Sequence, residues 1–245
     1  MDRKTFMKDI YSKYWIGVRE KKISFSKYDK NLCEYICKKV SKETNILEVG
    51  IGTGFPFGNF FQNNGYKVHG IDIAPILIEK CKILNSKINS KVGDAENLEY
   101  PNDFFKCVYC FHSTAYFSDL NKVIDEMIRV TAKNGTIIFD IQNRNNKEVT
   151  QNYKKIKFSK KNIFGKLLRF IKNILKIILG KGVPDWTNVI YEIPIYPEIV
   201  KKYLEKKEVK NYNIMILPNE DKILENADKV ENLINYKKII YVITK

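Results

Sequence analysis

The sequence predicts an α/β fold, a parallel sheet covered by helices on both faces. Three observations carry this. Short apolar runs alternate with segments of helical spacing between residues 46 and 141. The first run ends in a glycine-rich turn, Gly50-Ile-Gly52-Thr-Gly54. The same alternation resumes near residue 195, which fits one domain with an insertion.

Residues 1–44 read as a helical cap, with Tyr11, Tyr14 and Trp15 on one stretch and Leu32, Tyr35, Ile36 and Val40 on the next. The core, 45–142, has strands at Ile46–Val49, Tyr66–Ile71, Ile88–Val92, Phe105–Phe111 and Thr136–Ile141. Helices fall between them at Pro56–Asn63, Pro75–Leu84 and Leu120–Thr131. Lys133-Asn134-Gly135 supplies the turn expected to end the last helix. Residues 143–194 form a basic helical insertion, and 195–245 complete the sheet with helix Glu198–Lys207 and strands near Val209–Leu217 and Tyr236–Thr244.

Composition narrows the class. With 44% apolar and 13% aromatic residues, 245 residues supply a sizeable core. No run of 18 apolar residues free of charge occurs, and the first residues mix both charge signs, so a cytoplasmic protein is expected. Five cysteines fit a reducing compartment. Cys107 and Cys110 lie on a strand at an odd offset, which points them to opposite faces. Cys33 and Cys37 have no second ligand pair nearby. No metal site is expected.

The chemistry starts at Glu48-Val-Gly50-Ile-Gly52-Thr-Gly54. Glycines let a backbone turn sharply and approach a ligand closely. A dinucleotide fingerprint requires Gly-x-Gly-x-x-Gly/Ala, but the third position is Phe55 in one register and Phe57 in the other. A P-loop requires Lys-Ser/Thr after the last glycine, where this chain has Phe55-Pro56. The spacing therefore favours a cofactor without a pyrophosphate. Asp72, 18 residues after Gly54 at the tip of the second strand, suits a ribose diol, because a carboxylate accepts from two hydroxyls at once. A helix N-cap is the structural alternative for that acid. Asp94-Ala95 closes the third strand, in the same crevice.

With these residues in place the chain resembles the class I methyltransferases that bind S-adenosylmethionine on a seven-stranded, Rossmann-like sheet. The resemblance runs from about Asn45 to Ile141, with weaker agreement over Ile195–Lys245. It implies a doubly wound, mostly parallel sheet whose last strand is antiparallel and inserted between the fifth and sixth. It also implies that the loop Gly50, Gly52, Gly54 and Glu48 face the methionine part and ribose. Asp72 and Ile73 would meet the ribose, and Asp94, Ala95 and Phe111 would complete the cofactor site. Asn134-Gly135 departs from the family's usual Pro-Gly or Gly-Gly at that turn.

For a hydroxyl acceptor the protein must align the oxygen and remove a proton. The segment after the fourth strand, Phe111-His-Ser-Thr-Ala-Tyr116, offers His112 as general base and Tyr116 on the same side of the pocket. Positioning alone is the competing role for His112. His69 reads as a core or edge residue. Tyr11, Tyr14 and Trp15 are candidates to cover a sulfonium, and plain helix packing explains them equally well.

Methyltransferases acting on exocyclic amines of nucleic acids carry Asp/Asn-Pro-Pro-aromatic after the fourth strand; this chain has Cys110-Phe111-His112-Ser113. The Pro-Cys of pyrimidine-carbon enzymes is also missing. A nucleic-acid acceptor is therefore disfavoured. A small-molecule, sugar or lipid-linked hydroxyl or carboxyl acceptor is expected, as in polysaccharide biosynthesis. Of the net charge of +15, about +10 comes from residues 147–182, which hold 11 Lys or Arg and one acid, Glu148. Within them, 162–179 is amphipathic, with a cationic stripe beside a wide apolar arc. A lid or homodimer contact, a peripheral contact with the inner face of a membrane, and an anionic polymer site all remain open there. RNA modification through this segment, or a silent binding scaffold, are the rival readings for the whole chain.

Overall fold

The computed structural model describes residues 2–12, 15–16, 24–151, 171, 192–218 and 233–245, without the side chains of Ile10 and Tyr11. Helix α1, Arg3–Phe6, runs into a π-helical turn, Met7–Tyr11. Helix α2, Lys27–Lys39, starts at a capping box: the Ser26 hydroxyl accepts from the Asp29 N–H while the Asp29 carboxylate takes the Ser26 N–H. The alternating core follows as β1 Asn45–Val49, α3 Phe57–Asn63, β2 Lys67–Asp72, α4 Pro75–Leu84 and β3 Asn89–Val92. It continues with β4 Phe105–Cys110, α5 Leu120–Val130 and β5 Thr131–Gln142. The C-terminal part adds α6 Pro197–Lys206, β6 Tyr212–Met215 and β7 Lys238–Thr244.

The strands form one seven-stranded sheet in the order β3-β2-β1-β4-β5-β7-β6. Strands β1 to β5 are mutually parallel, while β7 is antiparallel to both β5 and β6. The last strand thus sits between the fifth and the sixth, as the resemblance implies. Strand order reverses between β1 and β4, and that switch point opens a crevice at the carboxyl ends of the strands.

The two faces bury different sets of side chains. Leu47, Val49, Val108, Cys110 and Phe139 pack with Val123, Ile124 and Met127 of α5 and with Val200 and Leu204 of α6. Ile46, Val68, Cys107, Tyr109 and Ile138 pack on the other face with Leu32 and Ile36 of α2, Phe61 of α3 and Ile78 of α4. Cys107 and Cys110 fall in different clusters, as the period of two along β4 requires. His69 is half-buried on β2, its ring edge-on to Tyr100, Phe104 and Phe105.

One local expectation needs correction. Lys133-Asn134-Gly135 does not separate α5 from a later strand: α5 stops at Val130 and β5 begins at Thr131. The turn residues instead form a bulge within β5, because Phe105 pairs with Thr131 and Cys107 with Thr136. Asn134 takes a left-handed backbone there (φ 56°), and a Cβ at Gly135 would lie 2.7 Å from the Ala132 carbonyl. The insertion lies mostly outside the described residues, including 162–170 and 172–179 of the amphipathic stretch; Ile171 is exposed. No helix among the described residues is long and apolar enough to cross a membrane.

Candidate active site

The glycine turn is held by the two strands beside it. The N–H groups of Gly50 and Ile51 both donate to the Ile71 carbonyl at the end of β2, each at 2.9 Å. All three glycines have positive φ, at 81°, 57° and 85°. They do different work. A Cβ on Gly50 would meet Ser113 Oγ at 2.7 Å, and one on Gly54 would meet Asn85 Nδ2 at 2.8 Å, so both allow close packing. Among the described residues, a Cβ on Gly52 would find only Trp15 Cζ2, at 3.8 Å, so the bare backbone here is open to the cavity. Gly54 does not line the cavity in front of the turn, whereas Gly50 and Gly52 do.

Asp72 bridges this turn and α4. Its Oδ2 accepts from the Gly52 N–H at 3.0 Å and its Oδ1 from the Ala74 N–H at 2.9 Å. A carboxylate has about four acceptor positions, so Asp72 keeps acceptor capacity for a ligand hydroxyl. Burial raises the Asp72 carboxyl above its usual value, against the N–H groups of Ala74, Gly52 and Ile73. Glu48 is more deeply buried and accepts from the Tyr109 hydroxyl at 3.0 Å. Burial, with the Asp72 charge nearby, holds its carboxyl well above the usual range despite the Tyr109 and Gly58 donors. Asp94 Oδ1 accepts from the Glu96 N–H, and its Oδ2 is paired with Lys4 at 2.6 Å. Lys4 also meets Glu96 at 2.8 Å, and Arg3 donates to the carbonyls of Ala115 and Tyr116. Helix α1 is thereby pinned over the far end of the crevice.

These groups line one cavity of about 1280 Å³. Glu48, Gly50, Gly52, Asp72, Ile73, Asp94, Ala95 and Phe111 all border it, as do His112, Tyr116 and Trp15. Tyr11 contributes a described backbone only, and Tyr14 lies outside the described residues. The fit to S-adenosylmethionine is good on the structure's own terms. The turn presents bare backbone at Gly52, an acid with spare acceptor positions stands beside it, and the crevice is long enough to reach Asp94.

The opposite end is built around His112, which itself has a left-handed backbone (φ 59°). Its N–H donates to Asp140 Oδ1 at 2.7 Å, which holds the loop onto β5. Ring Nε2 lies 2.7 Å from Asp29 Oδ1, and ring Nδ1 lies 2.6 Å from Lys238 Nζ. An ammonium only donates, so toward Lys238 Nδ1 is the acceptor and Nε2–H the donor to Asp29, while Asp140 Oδ2 lies 3.4 Å from Nδ1. The rings of Tyr28 and Phe57 flank the imidazole, with centroids at 5.9 and 5.6 Å. Buried Asp140 also accepts from the Tyr28 hydroxyl at 3.2 Å and faces Lys238 at 3.4 Å. Burial alone would raise both Asp29 and Asp140. The His112 contact outweighs it at Asp29, and Lys238 with His112 outweighs it at Asp140, so both carboxyls fall below their usual values.

Sequence reasoning found His112 but missed Asp29, Asp140 and Lys238. Asp29 carried a signal, since Ser26-x-x-Asp29 is a capping-box pattern; what the pattern hides is that the second carboxylate oxygen is free to hold an imidazole. Asp140 was visible as an acid inside an apolar strand. Lys238 had no signal, being 126 residues from His112. Tyr116 reaches the cavity, but its hydroxyl donates to Glu192 at 3.2 Å.

Comparison with known proteins agrees with this geometry. Residues 47–139 match the family model described as a methyltransferase domain. Ajmaline N-methyltransferase of Rauvolfia serpentina is 34% identical over 121 residues, 45% of this chain and 40% of that protein. Malonyl-[acyl-carrier protein] O-methyltransferase of Serratia marcescens is 27% identical over 94 residues, 38% of this chain and 36% of that protein. The chain thus spans about 40% of the length of the curated relatives it matches. Among solved structures, a SAM-dependent methyltransferase of Thermotoga maritima superposes with a TM-score of 0.62 at 15% identity, covering 95% of this chain and 97% of the other. A TehB-like methyltransferase of Corynebacterium glutamicum gives 0.56 at 13% identity, with 96% of each chain covered. At such identities the likeness is one of fold. Residues 47–139 thus match a methyltransferase domain, and the chain around them has the Rossmann-like fold of solved S-adenosylmethionine-dependent methyltransferases.

Proposed function

We propose that this protein transfers a methyl group from S-adenosylmethionine to an oxygen of a small-molecule, sugar or lipid-linked acceptor. One observation carries the reading: the Gly52–Asp72 corner and the Asp29–His112 pair open into the same cavity. When bound, the cofactor supplies an activated methyl carbon, so that an oxygen lone pair forms the new O–C bond as the C–S pair leaves with sulfur.

The chain's own residues do the rest. Gly50, Gly52 and Asp72 fix one end of the crevice. Asp29 orients His112 and stabilises it once protonated, leaving Nδ1 as the site that receives the acceptor's proton. Phe57, Phe111 and Tyr28 keep that end apolar. The named relatives include both N- and O-methyltransferases; the imidazole with its carboxylate support favours oxygen here.

Calorimetry with S-adenosylmethionine is the first test, and absence of binding at millimolar cofactor would end the reading. The second is transfer of a labelled methyl group into extracts containing sugars, lipids and RNA. His112→Asn is expected to slow transfer by about 10²–10⁴-fold while leaving cofactor affinity in place. Label entering RNA instead of small molecules would overturn the acceptor assignment.

A further inference from the structure

The lone pair of His112 Nδ1 is already taken by a cation. Lys238 Nζ stands 2.6 Å from it, 4.1 Å from the Tyr28 ring centroid and 3.4 Å from Asp140 Oδ2. Its side chain is 29% exposed, and it borders the cavity. A group that delivers a proton to Nδ1 must therefore come within hydrogen-bond reach of this ammonium. An ammonium has three protons, and Asp140 stays within reach of one of them, so Nζ can turn from the imidazole to an incoming oxygen without losing its counter-charge.

We propose that Lys238 is a catalytic residue that receives the acceptor's developing oxyanion, and that the acceptor is an acidic hydroxyl, a phenol or enol, carried on a flat apolar frame. This rests on the oxygen-methylation reading above. The proton balance is simple. The O–H bond breaks toward Nδ1 and the oxygen keeps the electron pair. The imidazolium is held through Nε2 by Asp29, and the negative oxygen lies against Lys238. An alkylammonium acceptor arrives without a lone pair and with the charge of Lys238, so it gains nothing from that ammonium. Among hydroxyls the driving force decides. A phenol gives up its proton near pH 10, roughly, far more readily than an alkyl hydroxyl, so an acidic hydroxyl suits an imidazole base best. Pre-placed positive charge where negative charge develops is the larger share of such catalysis. Tyr28, Phe57, Phe111 and Tyr236 line the cavity around this point, which suits a ring more than a polyol.

The groups that face Lys238 and His112 are Asp29 and Tyr28 from α2, Asp140 from β5, and neighbouring Lys237, itself paired with Glu148 at 2.7 Å. With two carboxylates and one ammonium around the imidazole, stabilisation of a phenolate depends on Lys238. Para-nitrophenol is a direct probe, because its anion is coloured. Bound to the full-length wild-type chain, it is expected to ionise about one unit lower than in free solution, a roughly tenfold shift. Lys238→Met should abolish the shift and Lys238→Arg should keep most of it, with cofactor binding by calorimetry reporting that each variant is folded. If Lys238→Met does not fold, the wild-type shift and the Lys238→Arg value decide alone. A wild-type probe that binds only as the neutral phenol overturns the proposal, as does tighter binding of benzylamine than of the phenol. Failure of the shift with cofactor binding intact removes the role of Lys238 and leaves the methyltransferase reading standing. Failure of cofactor binding with the shift intact does the reverse.

Discussion

At the scale of single residues, the site separates two kinds of acid. Asp29 and Asp140 are held in the charged form by cationic or imidazole partners, while Glu48 and Asp72 are pushed toward the neutral form by burial. Asp72 must be a carboxylate to accept from a diol, and its raised value means that it protonates earlier on acidification than an ordinary aspartate. On acidification, cofactor affinity measured by calorimetry is therefore expected to fall at higher pH than an unperturbed carboxylate would give. Asp72→Asn should weaken binding by about 1.5–3 kcal/mol, the range for hydrogen bonds to a charged group, and flatten that pH dependence. This residue was legible from spacing alone, because the position at the tip of the second strand is dictated by the fold. Lys238 was not, since nothing local marks a lysine at the start of a strand as part of a site.

At the scale of elements, the turn after β1 and the cap of α2 carry most of the constraint. Gly50→Ala places a methyl 2.7 Å from Ser113 Oγ on a backbone with φ 81°. A destabilisation of about 1–3 kcal/mol is expected in denaturant unfolding, only part of it relieved by adding Ser113→Ala, because the backbone strain remains. The Asp29 and Asp140 contacts tie α2, β5 and β7 to the loop after β4. Both carboxyls titrate below their unfolded values, so their stabilisation is present above the ordinary carboxylate range. It is lost as pH falls through the folded values. Tm should decline below about pH 4, and Asp29→Asn should start from a lower Tm but decline less. Glu48 has the opposite sign: its contribution is complete at low pH and fades as pH rises through its raised value, so Glu48→Gln should do progressively less harm as pH rises. The strands and helices of 46–141 were readable from apolar periodicity because each is covered by a neighbour in the chain. The bulge at Lys133–Gly135 was not, because a turn signature has the same composition whether it ends a helix or interrupts a strand.

At the scale of the molecule, charge and fold are divided between segments. The cofactor crevice belongs to the parallel half of the sheet, and the excess positive charge to 147–182. Contact of 162–179 with an anionic membrane surface remains a proposal with a clear measurement. Vesicles rich in phosphatidylserine should co-sediment the full-length protein at low salt and release it at high salt. Removing 150–182 should abolish this while cofactor binding persists. Co-sedimentation that survives the deletion would assign the surface elsewhere.

The position of β7 has a consequence for the order of assembly. The strand neighbours of β6 and β5 on that side of the sheet are both β7, so β6 has no sheet to join until β7 has arrived. The parallel half, with the turn and Asp72, draws on residues 45–142 and needs only contacts close in sequence. Lys238 is the first residue of β7, paired in register with Gln142 at the end of β5. In chain order, the Gly50–Gly54 turn and Asp72 are therefore complete before the strand that brings the cation facing His112. The strand that closes the sheet between β5 and β6 is thus also the one that delivers Lys238 to the cavity.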